Sequence, residues 1–255
     1  MKETNSELMS ETQKTSTENW FASWFDTEYY HILYKERNDE EAQLLMDNLT
    51  HYLNLPEDAK ILDLACGKGR HAIYLNSLDY NVTGADLSEN SIAEATKFAN
   101  NKLQFKVHDM REPFEEKYDA IFNLFTSFGY FEDDADNFKT IKAIHNSLTE
   151  TGFAVIDFMN VDYVLDNLVA DEIKTVDGID FHIKRYLKDG HIYKEIEFED
   201  KGEKFHFTEK VQALRLEDFE KIMEEAGIFL LDIFGDYKLR KFYKTQSERL
   251  IMIFK

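Results

Sequence analysis

The stretch ILDLACGKGRHAIYL, Ile61 to Leu75, constrains the fold more than any other part of the chain. Lys60 to Ala65, apolar from Ile61 onward except for Asp63, is too short for a helix and suited to a buried strand. Gly67 and Gly69 interrupt it, and from Arg70 to Leu78 the apolar residues recur at helical spacing. Strand, glycine loop and helix form the first half of a βαβ unit. The same alternation continues. Asn81 to Asp86 is a second strand, followed by a helix that Ser88 can cap. Leu103 to Asp109 and Tyr118 to Leu124 are the third and fourth strands, and Asp134 to Leu148 is helical, its acidic start suiting the helix dipole. TGFAVIDFM, ending at Met159, is a fifth strand after a turn at Gly152. This rhythm predicts an α/β fold, a parallel sheet with helices on both faces.

The rhythm breaks after Asn160. VDYVLDNLV can form a short helix; IDFHIKRYL, HIYKEIEFED and EKFHFTEKV follow, separated by Asp-Gly and Asp-Lys-Gly turns. Ile179, Phe181 and Ile183 alternate with polar residues, as do Phe205 and Phe207, which predicts an antiparallel sheet with one covered face. The α/β pattern resumes with RLEDFEKIMEEAG, a helix stopped by Gly227, and two strands, Ile228 to Phe234 and Arg249 to Phe254. At the other end, Trp20 to Leu55 has helical spacing that Pro56 terminates. Residues 1–18 are polar, rich in Ser, Thr and Glu, and read as a disordered lead-in.

Composition removes some classes of function. The formal net charge is −20, which disfavours nucleic acid and anionic membrane surfaces as partners. No apolar run approaches the ~18 residues of a membrane helix. Cys66 is the single cysteine, so no intramolecular disulfide forms, and a reducing, cytoplasmic setting fits. The histidines are scattered without metal-ligand spacing, so no metal site is expected.

Gly67-Lys68-Gly69-Arg70-His71-Ala72 fits the G-x-G-x-x-G/A pattern of dinucleotide sites. Asp63 argues against a pyrophosphate, which wants bare amides and a helix N-terminus rather than a carboxylate. S-adenosylmethionine carries an ammonium, a sulfonium and a carboxylate but no phosphate, so an acid is tolerable beside it. The glycines then allow close backbone approach to the ligand. Asp86 ends the second strand, where it can accept both ribose hydroxyls. Asp109 ends the third, where it can take the adenine amino group with Met110 against the ring. Three acids at successive strand ends line the edge at which open α/β sheets bind ligands. An NAD-dependent oxidoreductase is the competing reading, weakened by Asp63 and Asp109.

At these residues the chain resembles the class I S-adenosylmethionine-dependent methyltransferases. LDLACGKGRHAIYL is similar to their first motif, VTGADLS to their ribose-binding strand end, HDMRE to their adenine-contacting segment, and YDAIFNLFTSFGYF to the fourth strand and the loop beside the methyl group. The resemblance spans about Trp20 to Lys255. It implies a Rossmann-like seven-stranded methyltransferase sheet whose last strand is antiparallel and inserted between its neighbours. Residues 57–169 and 214–255 would form this core, 19–56 an N-terminal helical lid, and 170–213 an antiparallel β insertion after the fifth strand that covers the substrate.

The implied cofactor is S-adenosyl-L-methionine, with Asp63, Ala65, Gly67, Gly69, Asp86, Leu87, Asp109 and Met110 around it. Backbone carbonyls at Asn123 and Leu124 would receive its ammonium. Likeness to glycine and sugar-amine N-methyltransferases adds Tyr34 and Arg37, the latter pairing with the cofactor carboxylate in two parallel hydrogen bonds. Tyr30, Phe125, Ser127, Phe128 and Tyr130 would shape the acceptor pocket. Ala65 departs from the pattern, since many members have glycine there. No residue stands out as a general acid or base, and in-line methyl transfer needs mainly orientation and a dry site. The expected function is methylation of a nitrogen or oxygen of a small molecule, by a monomer or a homodimer. A macromolecular acceptor, or a regulatory protein that binds S-adenosylmethionine without chemistry, is the alternative.

Overall fold

The computed structural model describes residues 24–25, 27–35 and 39–255; the expected lead-in and Arg37 lie outside the described residues. The elements are α1 (Glu28–Leu33), α2 (Asp39–Tyr52), β1 (Lys60–Leu64), α3 (Arg70–Ser77), β2 (Asn81–Asp86), α4 (Glu89–Ala95), β3 (Leu103–Val107), β4 (Tyr118–Asn123), α5 (Asp134–Asn146), β5 (Leu148–Met159) and α6 (Val161–Asp166). They continue with β6 (Asp171–Val176), β7 (Ile179–Lys188), β8 (His191–Asp200), β9 (Glu203–Gln212), α7 (Leu216–Ala226), β10 (Leu230–Phe234) and β11 (Arg249–Phe254).

Seven strands form one sheet in the order β10-β11-β5-β4-β1-β2-β3. β1 to β5 pair in parallel, whereas β11 is antiparallel to both β5 and β10. The period of two along each strand divides the core between the two faces. Leu62, Leu64, Ile121 and Ile156 join Ile141 and Ile144 of α5 and Phe219 and Met223 of α7. Their neighbours Ile61, Ala120, Phe122 and Val155 join Leu45, Met46 and Leu49 of α2 and Ala72 and Leu75 of α3. Near-continuous apolar strands are what a sheet covered on both faces requires.

A second sheet, β6-β7-β8-β9, is antiparallel throughout. It has one strand more than expected: β6 is an edge strand whose charged residues hide its alternation. Its covered face carries Phe181, Ile183, Ile196 and Phe198, which pack with Trp24, Tyr29 and Leu33 rather than with the large sheet. The helical segment at 19–56 therefore divides. α2 is built into the main core, with Leu45, Met46 and Leu49 fully buried, and α1 belongs to the small sheet. Gly152 also differs from expectation. It lies inside β5, where the pairing slips from Tyr118↔Leu148 to Ala120↔Phe153, and a Cβ there would stand 2.8 Å from the Tyr118 carbonyl oxygen.

Candidate functional site

At the carboxyl edge of the large sheet, a cavity of about 960 Å3 extends from the β1 and β2 ends to the small sheet. Its near wall begins where β1 stops. Ala65 takes a left-handed conformation, φ +64°, a region that glycine enters more readily than alanine. The Cys66 amide donates to the Ala85 carbonyl and the Gly69 amide to that of Cys66, closing a tight loop into α3. At Gly69, φ is +84° and a Cβ would lie 2.6 Å from the Phe105 ring, so this glycine answers to helix–strand packing rather than to a ligand. Asp86 faces the cavity; its Oδ2 accepts the Gly67 amide at 2.8 Å and its Oδ1 the Ser88 amide at 2.9 Å. The second acid thus shapes the first loop.

Of the residues singled out from the sequence, Ala65, Gly67, Asp86, Leu87, Asp109, Met110, Tyr30, Phe125, Ser127 and Tyr130 line this one cavity. The others do not. Asp63 is buried beneath the loop, where Oδ2 accepts the Ala72 amide at 3.0 Å and Oδ1 lies 3.9 Å from His71 Nδ1. Burial, and more weakly the Asp86 charge, push its carboxyl up to about 7. Burial, then Arg70, hold His71 down at about 3. The imidazole is therefore neutral near neutral pH, beside a carboxyl that is protonated below about 7, so the two do not form an ion pair. Leu124 and Phe128 point into the core, Phe128 against Phe219. Asn123 is fully buried; its Nδ2 donates to the Leu64 carbonyl at 3.0 Å, while Oδ1 has no partner among the described residues. Tyr34 lies behind the far wall, donating to Glu209 Oε1 at 2.7 Å and accepting from Lys194.

Asp109 reaches the cavity already engaged. The Arg111 guanidinium grips it, Nε to Oδ1 at 3.0 Å and Nη2 to Oδ2 at 2.6 Å, and holds its carboxyl below the usual range. Arg111 also bonds Asp136 at 2.7 Å.

The far wall comes from the small sheet and the N-terminal segment, with Arg185, Ile192, Lys194, Glu209 and Val211 facing Phe25, Tyr30 and His31. Glu209 Oε1 also accepts the Trp24 indole N–H at 2.7 Å, which fastens the N-terminal segment to β9. A third side carries Arg249 and Tyr237. Sequence reasoning missed Lys194, Glu209 and Arg249. Only the polar phase of the strand alternation marks the first two, and Arg249 merely opens the last strand.

A family model described as a methyltransferase domain matches residues 61–152, which span β1 to the start of β5. YqeM of Bacillus subtilis, named as a methyltransferase, is 27% identical over 231 residues, covering 78% of this chain and 88% of the relative. A glycine/sarcosine N-methyltransferase of Halorhodospira halochloris is 26% identical over 188 residues, covering 70% and 69% respectively. The crystal structure of an S-adenosylmethionine-dependent methyltransferase from Clostridium acetobutylicum shares the fold, with a TM-score of 0.76 at 24% identity over 89% of this chain and 95% of that one. With the inserted antiparallel β11, the left-handed loop after β1 and a carboxylate at the end of β2, these matches support a class I S-adenosylmethionine-dependent methyltransferase.

Proposed function

We propose that the enzyme transfers the methyl group of S-adenosylmethionine to a nitrogen or oxygen of a small molecule, with the cofactor along the β1–β3 edge and the acceptor beneath the small sheet. The observation that carries this reading is the single cavity joining those two places. At about 960 Å3 it is at the upper end of small-molecule sites, room for a nucleoside and a second ligand together. Its depth under a cover suits a metabolite better than a polymer. S-adenosylmethionine supplies a methyl carbon already activated by sulfonium.

The protein's task is then to hold and orient. Asp86, at the end of β2, offers its carboxylate to the ribose hydroxyls, and Leu87 and Met110 flank the nucleoside. Asp109, gripped by Arg111, offers its remaining acceptor capacity to the adenine. Ala65 and Gly67 present backbone close to the methionine part. The buried Asn123 Oδ1 adds unpaired acceptor character at the switch point beside the β4 carbonyls, where an ammonium is stabilised. Asp63 and Gly69 support the loop from behind, and Tyr34 braces α1 against Glu209 and Lys194. Arg37 retains its proposed pairing with the cofactor carboxylate. Phe125, Ser127, Tyr130 and Tyr30 border the acceptor. A glycine/sarcosine N-methyltransferase among the relatives supports a small amine as acceptor, and the lone cysteine and acidic composition fit the cytoplasm.

Calorimetry with S-adenosylhomocysteine tests the cofactor half. Asp86→Ala should weaken binding by about 1–3 kcal/mol, and wild-type affinity in a folded variant would move the ribose contact elsewhere. Labelled cofactor offered with small amines, alcohols, bulk RNA and denatured protein tests the acceptor half. Label in the polymers alone would overturn the small-molecule assignment.

A further inference from the structure

The loop after β4 is held by a buried ion pair at the sheet edge. Because β11 runs antiparallel to β5, its first residue, Arg249, pairs with Met159 and arrives where β4 and β5 end. Arg249 Nε donates to Asp157 Oδ1 at 2.7 Å and Nη2 to Thr126 Oγ1 at 3.0 Å. Asp157 has no exposed surface. Its Oδ2 accepts the Phe125 amide at 2.8 Å and the Tyr237 hydroxyl at 3.3 Å, and its backbone carbonyl accepts the Thr126 amide at 2.9 Å.

These bonds converge on Phe125 and Thr126, whose φ angles are +57° and +62°. Two successive left-handed residues bearing side chains form an unfavourable backbone that persists only where its surroundings impose it. Ser127 closes the turn by donating its hydroxyl to the Leu124 carbonyl at 2.8 Å. The crest, Phe125, stacks on His71 of α3 at 4.9 Å and lies 5.2 Å from the Tyr237 ring, so it bridges the loop after β1 to the third side of the cavity. Phe125, Thr126, Tyr237 and Arg249 all line that cavity.

We propose that Asp157 and Arg249 are positioning residues for methyl transfer: the pair locks the left-handed Phe125–Thr126 turn and so sets the wall between the cofactor's methyl end and the acceptor. The inference rests on the cofactor and acceptor placement given above. Stability alone does not account for the pair, because buried ion pairs can commonly be replaced by neutral groups without loss. What a neutral pair cannot reproduce is the simultaneous hold on an amide, a hydroxyl and a ring at one loop.

The double variant Asp157→Asn/Arg249→Met removes both charges together. It should melt close to wild type and bind S-adenosylhomocysteine within a few-fold. Hydrogen exchange across residues 124–127 should accelerate. Methyl transfer from saturating labelled S-adenosylmethionine to a metabolite extract should fall by about a hundredfold. A folded double variant with wild-type loop exchange and wild-type turnover overturns the proposal. If it does not fold, Arg249→Lys decides. That variant keeps the ion pair but loses the Thr126 bond, so it should show intermediate exchange and turnover, and wild-type values would overturn the lock. Failure of wild type to bind S-adenosylhomocysteine would instead overturn the placement on which the inference rests, while loop exchange would still report on the lock itself.

Discussion

The cavity has two ends that are built in different ways. At the β1–β3 edge the wall is mostly backbone, a left-handed alanine, a glycine and amides tied to Asp86, all carried on strands buried in the main core. At the small-sheet end the wall is side chains from β7, β8 and β9 and the N-terminal segment. That end has its own apolar cluster around Phe181 and Trp24. Backbone geometry recognises a constant ligand and tolerates little change. Side chains on a sheet with an apolar cluster of its own, joined to the main core through Ile192 and Val211, can vary from one enzyme to another with little disturbance of the first end. The division suits a cofactor common to a family and an acceptor particular to each member.

Independence of the two ends is open to a direct attack. Phe181 is fully buried in the small cluster, touching Phe198 at a ring separation of 4.8 Å. Phe181→Ala should destabilise the small sheet and α1 by about 3–5 kcal/mol. Protease sensitivity should rise at residues 170–213, while S-adenosylhomocysteine still binds at the β1–β3 edge, weakened only by loss of the Arg37 pairing, because the main core is untouched. Loss of cofactor binding in parallel would join the two ends into one unit.

A pH measurement sharpens the description of the β1 end. Asp63 has a folded pKa near 7, above its unfolded value, so its stabilising contribution is present below about 4 and is lost as pH rises to about 7. His71 has a folded pKa near 3, below its unfolded value, so its contribution is present above about 6.5 and is lost as pH falls. Between about pH 4 and 6.5 the two slopes oppose one another. Asp63→Asn should expose the His71 slope, with stability rising over that interval by an amount on the order of 3 kcal/mol relative to wild type. His71→Gln should expose the opposite slope. Melting curves of the three proteins that stay parallel from pH 4 to 8 would return the pair to an ionic state.

The same division explains what was legible in the sequence. The large sheet could be read because buried parallel strands are short apolar runs separated by helices, and because Asp86 ends β2; β3 stops at Val107, two residues before the expected end at Asp109. Positions were less legible where side-chain direction mattered. Phe128 lies in the right segment, yet its side chain enters the core, as does that of Leu124, whose expected role rests on its backbone carbonyl. Asp63 lies in the right motif but bonds backward to Ala72. Lys194, Glu209 and Arg249 were invisible as site residues, because only the folding of β8 and β9 beside the edge, and the antiparallel insertion of β11, bring them to the cavity.

The smallest expected effect concerns the joint between α1 and the small sheet. Glu209 Oε1 accepts both the Trp24 indole and the Tyr34 hydroxyl, and Lys194 lies 4.0 Å from Oε2 over the Tyr34 ring. Trp24 is 1% exposed, so removing its acceptor leaves a buried N–H without a partner. Glu209→Ala should therefore loosen the N-terminal segment by about 1–3 kcal/mol. Glu209→Gln keeps a carbonyl for both donors, loses only the charge, and should cost less than about 1 kcal/mol. Fluorescence of Trp24, with Trp20 replaced by Phe, reads the docking directly. S-adenosylhomocysteine affinity should be unchanged in Glu209→Gln and should fall in Glu209→Ala by no more than the Arg37 pairing contributes, since Glu209 belongs to the wall that faces the acceptor. If Glu209→Gln undocks the helix as fully as Glu209→Ala, the charge pair with Lys194 rather than the two hydrogen bonds holds the joint. If either variant abolishes cofactor binding, the wall around Glu209 belongs to the cofactor as well, and the comparison between the two ends fails there.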